Sequence, residues 1–65
     1  MEDNLNLLDV EEAAARLRVS VSTMHKYTSG RDIAFYKLGG RLYFDEKDLV
    51  AFVRSRRKEA IIVQH

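Results

Sequence analysis

The side chains best suited to chemistry in this 65-residue chain lie in a short stretch around Val21, Ser22, His25 and Lys26. If residues 20–29 form a helix, these four point away from its apolar side, which Val19, Met24 and Tyr27 continue. Together they offer the contacts that read the edge of a base pair. A serine hydroxyl donates or accepts, the imidazole of His25 donates, Lys26 reaches guanine or phosphate, and Val21 fits a thymine methyl. The competing reading is a solvated helix face with no partner. Arg41 is the second candidate, because it follows Gly39-Gly40 directly and so stands at the tip of a turn with little to obstruct it. An arginine there can enter a minor groove or clamp a phosphate; otherwise it is an ordinary surface arginine supporting the turn. Ser20, Lys37 and Arg54 are further candidates for phosphate contacts, and the cluster Arg54, Arg56, Arg57 and Lys58 reads equally as a solvated, cationic helix end.

Other chemistries lack their parts. No nucleophile has a plausible base, no carboxylate pair suggests a catalytic pocket, and no glycine loop is built to cradle a phosphate. His25 is the one proton carrier in the region expected to be ordered, and it has no obvious orienting carboxylate. There are no cysteines, so neither a disulfide framework nor a cysteine zinc site can form. His25 and His65 stand too far apart in sequence to make a ligand pair at helical spacing. No catalytic residue, metal or cofactor is therefore expected, and the chain does not read as an enzyme.

The elements that must position these side chains can be read from local signals. Asp9 followed by Glu12 is a capping box, and Val10, Ala13, Ala14 and Leu17 share one face of the helix expected from Val10 to Leu17. Arg18 and Val19 make a turn. Ser20 is the N-cap of the second helix, with a hydroxyl, Thr23, at its third position, and Gly30 is a glycine stop. Two short helices joined this way form a helix-turn-helix. Residues 33–44 then switch to β-branched and aromatic types broken by Gly39-Gly40, the signature of a hairpin with a tight primed turn. Pairing Leu38 with Arg41 sets Lys37 against Leu42 and Phe35 against Phe44. Phe35, Leu42 and Phe44 then face the core, while Tyr36, Leu38, Arg41 and Tyr43 share the other side. Asp45 is expected to cap a last helix, with Glu46 and Asp48 in its first turn and Leu49, Phe52 and Val53 as its apolar stripe. The architecture implied is α+β, mostly helical: a winged helix-turn-helix with a two-stranded hairpin wing and a C-terminal helix.

Length leaves room for one domain, over residues 7–58, with a loose arm at 1–6 and a tail at 59–65. The N-terminus does not read as a signal peptide, and the aliphatic run of residues 60–63 is far too short to span a membrane. A soluble, cytoplasmic protein is expected. Net charge is only +1, but it is unevenly spread. Residues 1–15 carry five acids and no cation, whereas residues 16–65 carry eleven cations against five acids, a balance of +6. The later part can present a basic face to a polyanion; a mixed, solvated surface is the alternative.

Taken together, L-L-D-V-E-E-A-A-A-R-L-R-V-S-V-S-T-M-H-K-Y, G-R-D-I-A-F-Y-K-L-G-G-R-L-Y-F and D-L-V-A-F-V resemble the excisionase family of small winged-helix proteins. That family is distantly similar to the DNA-binding domain of the MerR regulators. The resemblance spans residues 7–53. It implies double-stranded DNA as partner, with the second helix in the major groove and the Gly39-Gly40 wing beside it. Family positions fall on Ser22, Thr23 and Lys26 of the helix and on Arg41 of the wing, with Thr23 weighted more as a cap than as a reader. Members assist integrases of mobile elements as recombination directionality factors, binding adjacent DNA sites, or act as small transcriptional regulators. An integrase or recombinase, and cooperative self-association on DNA, are therefore implied partners. The chain departs from the pattern in having Asp32-Ile33-Ala34 where a proline commonly precedes the first strand of the wing. It also has His25 where an aromatic or arginine is common. A different class of function stays open beside these: a protein-interaction module that keeps the fold without the DNA role, favoured by the acidic first fifteen residues and the aliphatic tail.

Overall fold

A computed structural model describes residues 6–58 of the chain. The expected tail at 59–65, and all of the expected arm except Asn6, lie outside the described residues. In order along the chain come β1 (Leu7–Asp9), α1 (Val10–Leu17), α2 (Val21–Ser29), β2 (Tyr36–Leu38), β3 (Arg41–Asp45) and α3 (Glu46–Ser55). This is the winged helix-turn-helix that the sequence implies, with one strand more than expected.

The first helix starts where its cap dictates. The Asp9 carboxylate accepts from the Glu12 amide at 2.7 Å, and the Asp9 amide donates to Glu12 Oε1 at 3.0 Å. Two of the orphan amides at the helix start are thereby satisfied. Ala13 and Ala14 are buried, with Val10 and Leu17 packed at the edge of the core. Small residues on that face let α2 approach closely, and Met24 of α2 is wholly buried against it.

Both helices of the pair stop in the same way. Val19 N–H donates to Ala14 O at 2.9 Å and Arg18 N–H to Ala15 O at 3.1 Å; Asp32 N–H donates to Tyr27 O at 2.8 Å and Arg31 N–H to Thr28 O at 3.1 Å. These are paired Schellman bonds, which need a left-handed residue after the helix. Arginine fills that place twice, Arg18 at φ 59 and Arg31 at φ 57. Gly30 does stand at the end of α2, but at φ −82. The stop expected from Gly30 is thus made one residue later, by Arg31.

The hairpin has the expected register, with Tyr36 opposite Tyr43, Lys37 opposite Leu42 and Leu38 opposite Arg41. Gly39 at φ 57 and Gly40 at φ 81 form the turn, both in the left-handed region that the primed hairpin requires. Phe44 is fully buried, Phe35 and Leu42 pack against the core, and Tyr36 and Leu38 are exposed. The first strand of the hairpin is shorter than residues 33–44 suggest, because Ile33 lies in a bend before it. Ile33 is buried all the same, so its apolar character serves the core and not the strand ladder.

Three further expectations are corrected. The sheet has three strands in the order β1-β3-β2, not two. Leu7, Leu8 and Asp9 pair antiparallel with Asp45, Phe44 and Tyr43, so β3 is the central strand and Tyr43 is paired on both edges. Asp45 sits at the N-cap position of α3 but makes no side-chain cap bond; it is still held in the ladder opposite Leu7, and its backbone continues the strand. Val53 is 51% exposed. Leu49 and Phe52 alone turn inward, and Val53 lies about 100° around the helix from Phe52. The core is closed by Tyr27 and Phe52, whose rings lie 4.7 Å apart between centroids. Arg56 stacks over Phe52 at 4.9 Å and reaches Asp32 at 3.5 Å, fastening the end of α3 to the loop after α2.

Candidate nucleic-acid interface

The outward face of α2 is built from its cap. Ser20 Oγ accepts from the Thr23 amide at 3.1 Å and lies 3.0 Å from Thr23 Oγ1. Both hydroxyls are therefore engaged with each other and with the backbone at the start of the helix, which fits Thr23 as a cap partner. One turn of helix separates Val21 from His25 and Ser22 from Lys26, so the four make a two-by-two patch. All four are exposed. Met24 and Thr28 are buried on the side turned to the core, where Thr28 Oγ1 donates to His25 O at 2.9 Å; among the described residues no buried side-chain polar atom lacks a partner.

Charge favours an anion at this end of α2. Glu11 and Glu12 occupy the first turn of α1, and Glu46 and Asp48 that of α3, but the first turn of α2 has no acidic side chain. Its helix dipole is left without a compensating carboxylate.

The wing is brought to the same face. One open groove is lined by Asp9, Val10, Glu11, His25, Gly40, Arg41 and Leu42. His25 of α2 and Arg41 at the wing turn thus stand on one groove, although the sequence separates them by a whole hairpin strand and loop. Arg41 and Lys37 are exposed on the two strands of the wing. Arg54 is placed elsewhere. It lines grooves on α3 with Arg16, Leu49, Val50 and Val53, at the far end of α1, and is not brought together with His25 and Arg41.

Sequence reasoning missed the carboxylates in this site. Asp9 and Glu11 line the groove with His25, where no partner carboxylate was expected. The capping box marks Asp9 as the start of α1. Only the pairing of β1 with β3 shows that this start lies beside the wing. Among the described residues no group of three or more His, Cys, Asp or Glu side chains is placed to hold a metal ion, and no helix is long and apolar enough to cross a membrane.

A family model described as a helix-turn-helix domain matches residues 7–57, most of the chain and every element from β1 to α3. No curated protein and no solved structure gives a significant match.

Proposed function

The chain belongs to the helix-turn-helix domain family, and from that premise we propose that it binds double-stranded DNA sequence-specifically, with α2 in the major groove and the wing on the neighbouring backbone or minor groove. The observation that carries this reading is the shared groove between His25 of α2 and Arg41 of the wing. A helix alone is a common surface feature. A helix whose exposed patch and uncompensated N-terminus adjoin an arginine-tipped wing offers both of the contacts that DNA recognition needs: base edges for Ser22, His25 and Lys26, and phosphate for Arg41 and Lys37. Val21 is placed for a thymine methyl, and Ser20 and Thr23 support the helix start beside the backbone.

Within this reading the protein acts in the cytoplasm as an excisionase-like recombination directionality factor of a mobile element, with an integrase as its protein partner and neighbouring copies binding cooperatively. The resemblance of the capping, serine-rich turn and Gly-Gly-Arg motifs to that family supports it. Small transcriptional regulators share the same fold and remain the second reading. Selection from a random duplex library separates binding from its absence: enrichment of one motif, with affinity falling as salt rises, is the expected result. Failure to retain any duplex at low salt would sink the proposal. An excision assay with an integrase encoded nearby then separates the two roles. Stimulation of excision identifies the first, and repression of a promoter without effect on excision identifies the second.

A further inference from the structure

His25 and Tyr27 are two residues apart on α2, about 200° around the helix, so Tyr27 faces away from the proposed DNA face. There the end of α1, the later part of α2 and the end of α3 meet in an open groove. Leu17, Val19, Tyr27, Phe52 and Val53 form its floor, and Arg54, Arg56 and Arg57 its rim. Leu17, Val19 and Tyr27 are half-buried and packed against the core, whereas Val53 is 51% exposed. The floor is thus held from below by the core and open to water above. Arg56, stacked 4.9 Å over the Phe52 ring, fixes one side of the rim. Lys58 adds a further cation where Tyr27 and Ser55 carry the groove past Arg56.

We propose that this groove docks an acidic, amphipathic segment of a partner protein, with a bulky apolar side chain on the floor and flanking carboxylates on the cationic rim. Charge complementarity selects that occupant. Among the described residues no carboxylate lines the groove or its extension. Asp32 engages Arg56 at 3.5 Å from a separate groove beyond Phe52, which it shares with Asp48. Glu46 lies in a neighbouring groove that shares Val53 and Arg54, but its carboxylate is engaged by Arg16. Arg54, Arg57 and Lys58 make no ion pair among the described residues and carry the excess positive charge. A helix laid in the groove presents apolar and acidic side chains together at i, i+3 and i+4 spacing, and the arginine stems can lie along it. Nucleic acid matches the rim alone: its phosphates leave the apolar floor in water, and a duplex seated on His25 lies on the other side of α2. Packing the groove on the same groove of a second copy sets like charges together. The acids grouped elsewhere among the described residues, Asp9, Glu11 and Glu12, stand at the start of α1, where the capping box already uses two of them.

The test uses the full chain and needs no DNA. Selection from a display library of short random peptides against the native chain should enrich sequences in which a bulky apolar residue is flanked by Asp or Glu. Val53→Asp with Arg57→Glu, both at exposed positions, should abolish that enrichment. Arg54→Glu with Arg57→Glu leaves the floor intact and should turn the preference toward basic flanks, which a variant that merely lost its fold could not do. A selected peptide should shift the amide resonances of Leu17, Val19, Tyr27 and Val53 while those of Ser22, His25 and Arg41 stay in place. Replacing two of its carboxylates by amides should weaken binding about fivefold, the loss expected for two exposed ion pairs. No enrichment, enrichment without acidic flanks, or shifts confined to the His25 and Arg41 face would overturn the proposal. So would a dimer in sedimentation that buries Val53, which assigns the groove to a second copy. Displacement of the peptide by duplex DNA, with shifts at Val53 and Arg57, would assign the rim to phosphate and overturn it equally.

Discussion

Removing Arg41 tests the proposed interface most directly, because its effect on salt dependence can be worked out in advance. Three exposed cations lie on α2 and the wing: Lys26, Lys37 and Arg41. If each neutralises one phosphate, log affinity falls against log salt with a slope of about −2.7. Between 50 and 200 mM salt the native chain should then lose about 40-fold in affinity, and Arg41→Ala, with two contacts left, about 12-fold. The ratio of native to variant affinity should therefore shrink about 3.5-fold over that range. Fluorescence anisotropy with the selected duplex, at four or five salt concentrations, measures both slopes. Arg41→Lys should keep the native slope while losing the fork geometry of the guanidinium. A slope for Arg41→Ala equal to the native one refutes the phosphate role of Arg41 even if overall affinity drops. An unchanged affinity as well removes the wing from the site. Lys26→Ala separates the helix from the wing in the same assay: a base-reading Lys26 relaxes sequence preference at one position, whereas a phosphate contact weakens all duplexes alike.

Other positions give sharp expectations. Glu11→Gln removes a negative charge from the wall of the groove shared by His25 and Arg41 and should raise affinity for any duplex by about two- to fivefold, a screened, exposed-charge effect; weaker binding would show that Glu11 is itself a contact. Nothing lies within 4 Å of a methyl added at Gly39 or Gly40, so alanine at Gly40 meets only backbone strain and should cost about 1–2 kcal/mol in urea unfolding, while asparagine at Gly39, which tolerates the left-handed region, should cost much less. Arg18→Gly relieves left-handed strain at φ 59 and should stabilise the fold by about 0.5–1 kcal/mol after the extra freedom of the unfolded glycine is subtracted. Phe44 is fully buried, and Phe44→Ala should cost about 3–5 kcal/mol, comparable with the whole stability of so small a domain. Loss of the cooperative thermal transition is the expected readout, and a transition lowered by only a few degrees would contradict the placement of Phe44 at the centre of the core.

Legibility in the sequence divides by range. The bounds of α1 and α2, the Asp9–Glu12 box, the Ser20 cap and the register around Gly39-Gly40 are written in residues within four positions of one another, and the structure has all of them. β1 is not written that way. Leu7, Leu8 and Asp9 are too few to show a strand period, and what makes them a strand is an edge of β3 that forms more than thirty residues later. Asp45 reads as a capping residue by type and position and does hold the N-cap place of α3, but its carboxylate makes no cap bond, which residue type alone does not decide. Val53 fits a helical stripe equally well inside or outside the core, and only the direction from which α1 and α2 approach decides it. For the site, the patch on α2 and the arginine of the wing were readable one by one, from residue types. That Arg41 and His25 share a groove, that Asp9 and Glu11 wall it, and that Arg54 lies elsewhere, are set by packing between elements distant in sequence.

That third strand also explains how so short a wing can hold a side chain in place. A two-stranded hairpin of this length is marginal in water. Here β3 carries a ladder on both edges and runs directly into α3, while β1 runs directly into α1 through a cap that satisfies both chain directions. The wing is therefore tied at its root to the helices on either side, and Arg41, one residue beyond the turn, inherits that position at little further entropic cost. The acidic wall belongs to the same arrangement. Because Asp9 must cap α1 and α1 must start beside the wing, a polyanion entering the groove meets carboxylates as well as Arg41. Under the proposed reading these carboxylates weaken association with every duplex alike, so that sequence preference rests on the contacts of α2.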